Sequence, residues 1–153
     1  MGVLSRVSGL FSRRGYNIES LSVGITENKG VSRMTIVVEC EDDIFSQIKN
    51  QLSKLMDVIT ICEFEDSQSV KRELALIKID AENEKRTQIL EIANIFRAHV
   101  IDVTYNSMIL EVTGDQSKVS AMISMLNEFG IKEVIRTGIT AIARGDSELK
   151  KKD

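Results

Sequence analysis

Leu74-Ala75-Leu76-Ile77-Lys78-Ile79 begins the stretch that decides the fold, and Ile131-Lys132-Glu133-Val134-Ile135 ends it; both read as strands. Between them Ile89, Ile92, Ala93 and Phe96 recur at helical spacing, and Val100–Tyr105 with Met108–Val112 predicts a hairpin turning at Asn106-Ser107. Asp115 then opens a helix carrying Val119, Met122, Ile123, Leu126 and Phe129, which Gly130 closes. The order β, α, β, β, α, β is the split βαβ, or ferredoxin-like, arrangement, in which two helices cover one face of a four-stranded antiparallel sheet.

Toward the N-terminus the same order recurs without its first element. Val3, Leu4, Val7, Leu10 and Phe11 fall at helical spacing against Ser5, Arg6, Ser8, Ser12 and Arg13, and Gly15 follows as a stop. Leu21, Val23 and Ile25 alternate with Ser20, Ser22 and Gly24. After the turn-rich Glu27-Asn28-Lys29-Gly30, Met34, Ile36, Val38 and Cys40 alternate again, which predicts an antiparallel hairpin. Asp42 or Asp43 is placed to cap a second helix with Ile44, Phe45, Ile48, Leu52 and Leu55 on its apolar face, and Val58 to Phe64 reads as another strand. This copy is α, β, β, α, β. The absent leading strand is central in such a sheet, and without it two neighbours keep unpaired backbone edges, so the natural chain is expected to begin some residues before Met1. The fold class is α+β: two ferredoxin-like domains over residues 1–66 and 70–146, the first lacking its leading strand. Asp66-Ser67-Gln68-Ser69 serves as linker, and residues 147–153 form a charged tail.

A chain of 153 residues, 42% hydrophobic, has enough apolar material for two small cores. With 20 basic against 23 acidic residues it lacks the positive excess that nucleic acid binding needs, so no nucleic acid partner is expected. No apolar run approaches the roughly 18 residues of a membrane span, and the N-terminus has no apolar signal core, which points away from membranes and toward the cytoplasm. Cys40 and Cys62 stand apart, each inside an apolar run, and are expected as buried free thiols rather than a disulfide or a metal pair.

Nucleophilic chemistry wants His, Cys or Ser in an oriented set, and the single histidine, His99, falls at a strand entrance among apolar neighbours, a structural or surface position. No pair among His99, Cys40 and Cys62 has metal-ligand spacing, and Glu39, Glu41, Asp42 and Asp43 cluster just where a helix N-terminus favours negative charge. No G-x-G-x-x-G or Walker pattern is present. What remains is a possible amino acid cradle. Gly2 lies at the turn into the first helix, whose free amides suit a carboxylate, and Gly15-Tyr16-Asn17 makes the return into the next strand. The amides of Gly2 and Val3, with Asn17 and Ile18, offer a carboxylate site, an ammonium acceptor and a small apolar wall, although glycine turns and an exposed asparagine occur in any domain. Gly9 inside the helix costs about 1 kcal/mol relative to alanine, which a close neighbour or second subunit would offset. Glu19–Gly24, with small outward side chains, suits an edge strand pairing across a two-fold axis.

Several runs together resemble one family. Gly2-Val3-Leu4-Ser5-Arg6-Val7, Leu10-Phe11-Ser12-Arg13-Arg14-Gly15-Tyr16-Asn17-Ile18-Glu19-Ser20-Leu21 and Ser32-Arg33-Met34-Thr35-Ile36 closely resemble the regulatory small subunit of acetolactate synthase, also called acetohydroxyacid synthase. Lys71–Ile79, Phe96–Thr104 and Arg136–Ile139 through Arg144-Gly145 are similar to its second domain. The resemblance implies an N-terminal ACT domain that binds a branched-chain amino acid, usually valine, at a homodimer interface. It implies no catalysis in this chain: a separate catalytic subunit, a transferase carrying thiamine diphosphate, magnesium and FAD, is activated by it and becomes subject to feedback inhibition in branched-chain amino acid biosynthesis. By matching motif the effector positions are Gly2, Val3, Leu4, Asn17 and Ile18. The family's leading strand ends in a polar residue, commonly asparagine, that also faces the ligand, and that residue is absent here.

Two rival readings share the topology. A single-stranded RNA-binding module needs stacking aromatics on its central strands, and Met34–Cys40 and Leu74–Ile79 hold none. An acylphosphatase-like enzyme needs an arginine in a phosphate-binding loop near an asparagine, which Arg14 and Asn17 imitate only weakly.

Overall fold

The computed structural model describes residues 2–146; the tail expected over 147–153 lies outside the described residues. In chain order the elements are α1 (Val3–Arg14), β1 (Ser20–Ile25), β2 (Ser32–Val37), α2 (Asp42–Leu52), β3 (Ser69–Asp80), α3 (Asn83–Ile95), β4 (His99–Val103), β5 (Ser107–Gly114), α4 (Gln116–Leu126), β6 (Ile131–Arg136) and β7 (Thr140–Ala143). Single 3-10 turns fill Asp66–Gln68 and Asn127–Phe129. The chain divides into two compact units. Lys71–Thr140 forms one, and the residues up to Val70, joined by those from Ala141 onward, form the other.

In the first unit α1 buries Val7 and Phe11, one turn apart on the same face, and α2 adds Ile48. Ile18, Met34, Ile36 and Val38 pack against these three. The helix ends where Gly15 adopts φ 69°, a left-handed position that a side chain would strain, and the amides of Gly15 and Tyr16 return to the carbonyls of Ser12 and Phe11 at 3.2 and 3.0 Å. β1 and β2 then form the expected hairpin, with Leu21 opposite Ile36 and Val23 opposite Met34. β1 pairs with no other strand among the described residues, so it is an edge strand as its composition suggested.

Four expectations for this unit need correction. Val58 to Phe64 is not a strand. In the second unit the corresponding β6 bonds only to β3, the central strand, and among the described residues of the first unit no strand occupies the position of β3, so residues 58–64 have no ladder to join. Cys40 and Cys62 are free but exposed. β2 ends at Val37 and residues 58–64 join no sheet, so neither apolar run carries its thiol into a core. The cap position of α2 is Glu41, without a side-chain bond, and Asp42 and Asp43 occupy the first turn, where they face the positive end of the helix. Among the described residues of the chain itself no helix packs on Gly9: a Cβ there meets only the Arg13 guanidinium at 3.8 Å.

The second unit realises the ferredoxin-like order in full. Its sheet runs β4-β5-β3-β6. Ala75, Ile77 and Ile79 of β3 and Met108, Leu110 and Val112 of β5 alternate onto the buried face, under Ile89 and Ala93 of α3 and Val119, Met122 and Leu126 of α4. Asp115 caps α4 as expected, accepting the Lys118 amide at 2.8 Å. Gly130, at φ 90°, turns the chain into β6. β7 was not anticipated: four residues after the Gly138 turn are too few for a periodic signal.

Candidate functional site

The structure gathers the five predicted effector residues into two groups. Gly2 is the N-cap of α1 in a left-handed conformation, φ 93°, and its carbonyl accepts the Arg6 amide at 3.0 Å. No side chain caps this end and no acidic residue lies in its first turn, so the amides of the opening turn lack intrahelical acceptors while the helix dipole is positive there. Gly2 is exposed, Leu4 is exposed, and Val3 is half-buried against the Val7–Phe11–Ile48 cluster. This end can bind an anion and offers an apolar flank.

Asn17 and Ile18 follow the other end of the same helix. Asn17 is exposed and Ile18 packs on that cluster. Arg13 and Arg14 fill the last turn, where cations complement the negative end of the dipole. At about 1.5 Å of rise per residue, the 12 residues of α1 run about 18 Å from the end that Gly2 opens to the turn that leads into Asn17. Val3 of the first group and Ile18 of the second both pack on the Val7–Phe11–Ile48 cluster, whereas Gly2, Leu4 and Asn17 are exposed.

Sequence reasoning did not single out Arg6. Its guanidinium, in the first turns of α1, pairs with the Asp57 carboxylate of the same unit. No single-sequence signal joins positions 6 and 57. His99 begins β4 and is exposed, the surface position expected of it. Slight desolvation at the exposed Cys40, together with the nearby charges of Asp42 and Asp43, pushes its thiol up. Among the described residues no group of three or more His, Cys, Asp and Glu side chains is placed to hold a metal ion, and no helix is long and apolar enough to cross a membrane.

Residues 1–60 match the family model of the acetohydroxyacid synthase small subunit-like ACT domain, and residues 72–145 match that of the small subunit of acetolactate synthase. The probable acetolactate synthase small subunit of Archaeoglobus fulgidus is 54% identical over 147 residues, spanning 96% of this chain and 92% of the relative. The chain belongs to the acetolactate synthase small-subunit family. The acetolactate synthase small subunit of Mycobacterium bovis is 53% identical over 144 residues, 94% of this chain and 86% of its own length. The crystal structure of the acetolactate synthase small subunit from Thermotoga maritima superposes with a TM-score of 0.87 at 39% identity, covering 95% of this chain and 91% of that one. Both groups of candidate effector residues of this small-subunit family member lie inside the ACT-domain match, and the second sheet from residue 72 onward lies inside the other.

Proposed function

We propose that this small subunit regulates an acetolactate synthase catalytic subunit, raising its activity and making it sensitive to valine, in the cytoplasmic synthesis of branched-chain amino acids. The transferase chemistry, with thiamine diphosphate, magnesium and FAD, belongs to that partner. The chain's own contribution is an effector site between two copies paired through their ACT domains. The single observation that supports this reading is the placing of the site residues at the two ends of α1: an uncapped, acid-free helix start at Gly2–Leu4 and an exposed Asn17 after the other end are complementary halves of one cradle, which two chains would complete by each supplying one. Valine then bridges the protomers, and its preference for one dimer geometry over another is the free energy passed to the catalytic subunit.

The test is complementation. Gly2→Asp sets a negative charge at the carboxylate end, and the open space around Gly2 accommodates its Cβ, with strain arising only from the positive φ. Asn17→His alters the other end. Each variant alone is expected to activate the catalytic subunit and to lose inhibition by valine. In an equimolar mixture, heterodimers carry one doubly altered and one intact site, so part of the inhibition returns. Inhibition unchanged in both single variants overturns the site. Inhibition lost in both but not regained on mixing overturns its assembly from two chains.

A further inference from the structure

The leading helices of the two units carry an arginine at the same place. Arg6 is the fourth residue of α1, and Arg86 is the fourth residue of α3. Side chains on a helix lean toward its N-terminus, so an arginine in that position can reach back over the opening turn. Arg86 does so. Its Nη2 donates to the carbonyl of Ala81, the residue before the cap position Glu82, at 3.1 Å, and to the carbonyls of Thr104 and Tyr105 at 2.8 and 2.9 Å. Arg6 meets a carboxylate instead: it pairs with Asp57, the two side chains being 57 and 37% exposed. Asp57 lies in a segment after α2 that is held by two successive turns, the Leu55 amide donating to the Leu52 carbonyl at 3.1 Å and the Val58 amide to the Leu55 carbonyl at 3.0 Å. Leu55 packs on the Val7–Phe11–Ile48 cluster.

We infer that Asp57 is a built-in competitor for the effector's carboxylate, holding Arg6 until that carboxylate takes its place. The inference rests on the effector site proposed above at Gly2–Leu4. A carboxylate bound by the opening amides of α1 lies within the reach that Arg86 displays for an arginine in this position, and a guanidinium takes carboxylates in preference to neutral acceptors. Arginine keeps its charge at every working pH, so an unpaired Arg6 beside those amides would attract small anions without discrimination. Asp57 neutralises that charge while the site is empty. An exposed ion pair contributes little stability, so the exchange of one carboxylate for another costs little, and Asp57 sets the effector concentration at which the site responds. On exchange the segment 53–58 loses its charged tie to α1 and keeps the packing of Leu55.

Valine titrations of the full chain assembled with its catalytic subunit, at fixed ionic strength, test this. Asp57→Asn, close in shape to the parent residue, is expected to lower the half-inhibiting valine concentration about two- to fivefold, the range that an exposed ion pair supports. Arg6→Gln is expected to raise it. In the Arg6→Gln background Asp57→Asn is expected to change nothing further, because Asp57 acts through Arg6. Amide exchange of residues 53–58 is expected to quicken when valine is added to the parent chain and to be insensitive to valine in Arg6→Gln. If Asp57→Asn weakens inhibition as Arg6→Gln does, the pair only supports the fold and the inference is overturned. Half-inhibiting concentrations that stay at the parent value in both variants overturn it as well, as does valine-independent exchange of residues 53–58 in an inhibited parent complex. A parent complex that valine does not inhibit overturns the effector site itself, and this inference with it.

Discussion

Asp115 shows how much one side chain at a helix start sets. Its carboxylate accepts the Lys118 amide at 2.8 Å and the Ser117 hydroxyl at 2.7 Å, and these bonds, the backbone one foremost, hold its carboxyl below the usual carboxylate range. A carboxyl whose folded-state pKa is depressed stabilises the fold above its unfolded-state pKa, and the contribution is lost as pH falls through the folded-state value. Asp115→Ala is therefore expected to lower the urea midpoint of the second unit at pH 7, and the gap from the parent chain closes in acid below the ordinary carboxylate range. A gap that is constant with pH in chemical unfolding would show that the bonded form is not the anion. The first unit has no such cap, since neither Gly2 nor Glu41 receives a side-chain bond at its helix.

At the scale of elements, β3 organises the second unit, and its start is fixed by an ion pair. Glu73 is buried, its side chain 3% exposed, and the Arg136 guanidinium at the end of β6 pairs with it from a position 33% exposed. Removing one partner of such a pair strands the other, so Arg136→Met is expected to cost about 2 to 4 kcal/mol in unfolding free energy, whereas Glu73→Leu combined with Arg136→Met regains most of that loss. The double-mutant cycle separates the pair from the packing around it. Neither residue announces this role in the sequence, because 63 positions separate them. What was legible is what local chemistry controls. The spacing of Val119, Met122 and Leu126 gave α4, the alternation through Met108, Leu110 and Val112 gave β5, and the glycines at 15 and 130 gave the stops. Val58–Phe64 misled because strand composition reports a tendency to pair, and pairing needs a neighbour that composition cannot supply. The candidate effector residues were legible only as motif, and their placing at opposite ends of α1 emerges once that helix is laid out in space.

Across the whole molecule the two copies of one plan are unequally filled. Ile77, Ile79, Ile89, Leu110, Val119, Met122 and Leu126 are completely buried in the second unit, whereas the first centres on Val7, Phe11 and Ile48 among the described residues and leaves Ile25 and Met56 almost wholly exposed. Buried apolar area is the main source of folding free energy, so the units are expected to open separately. Native-state hydrogen exchange should find the amides of α1 and β2 opening at markedly lower free energy than those of β3 and β5. A single shared opening energy would contradict that. Under the proposed function, thin filling also makes the first unit the half of the chain that a bound metabolite would change most. A ligand that recognises only its ordered form adds stability in proportion to the logarithm of ligand concentration over the dissociation constant. Occupancy there would register as a selective rise in the melting temperature of that half, giving a readout of nutrient supply that requires no turnover.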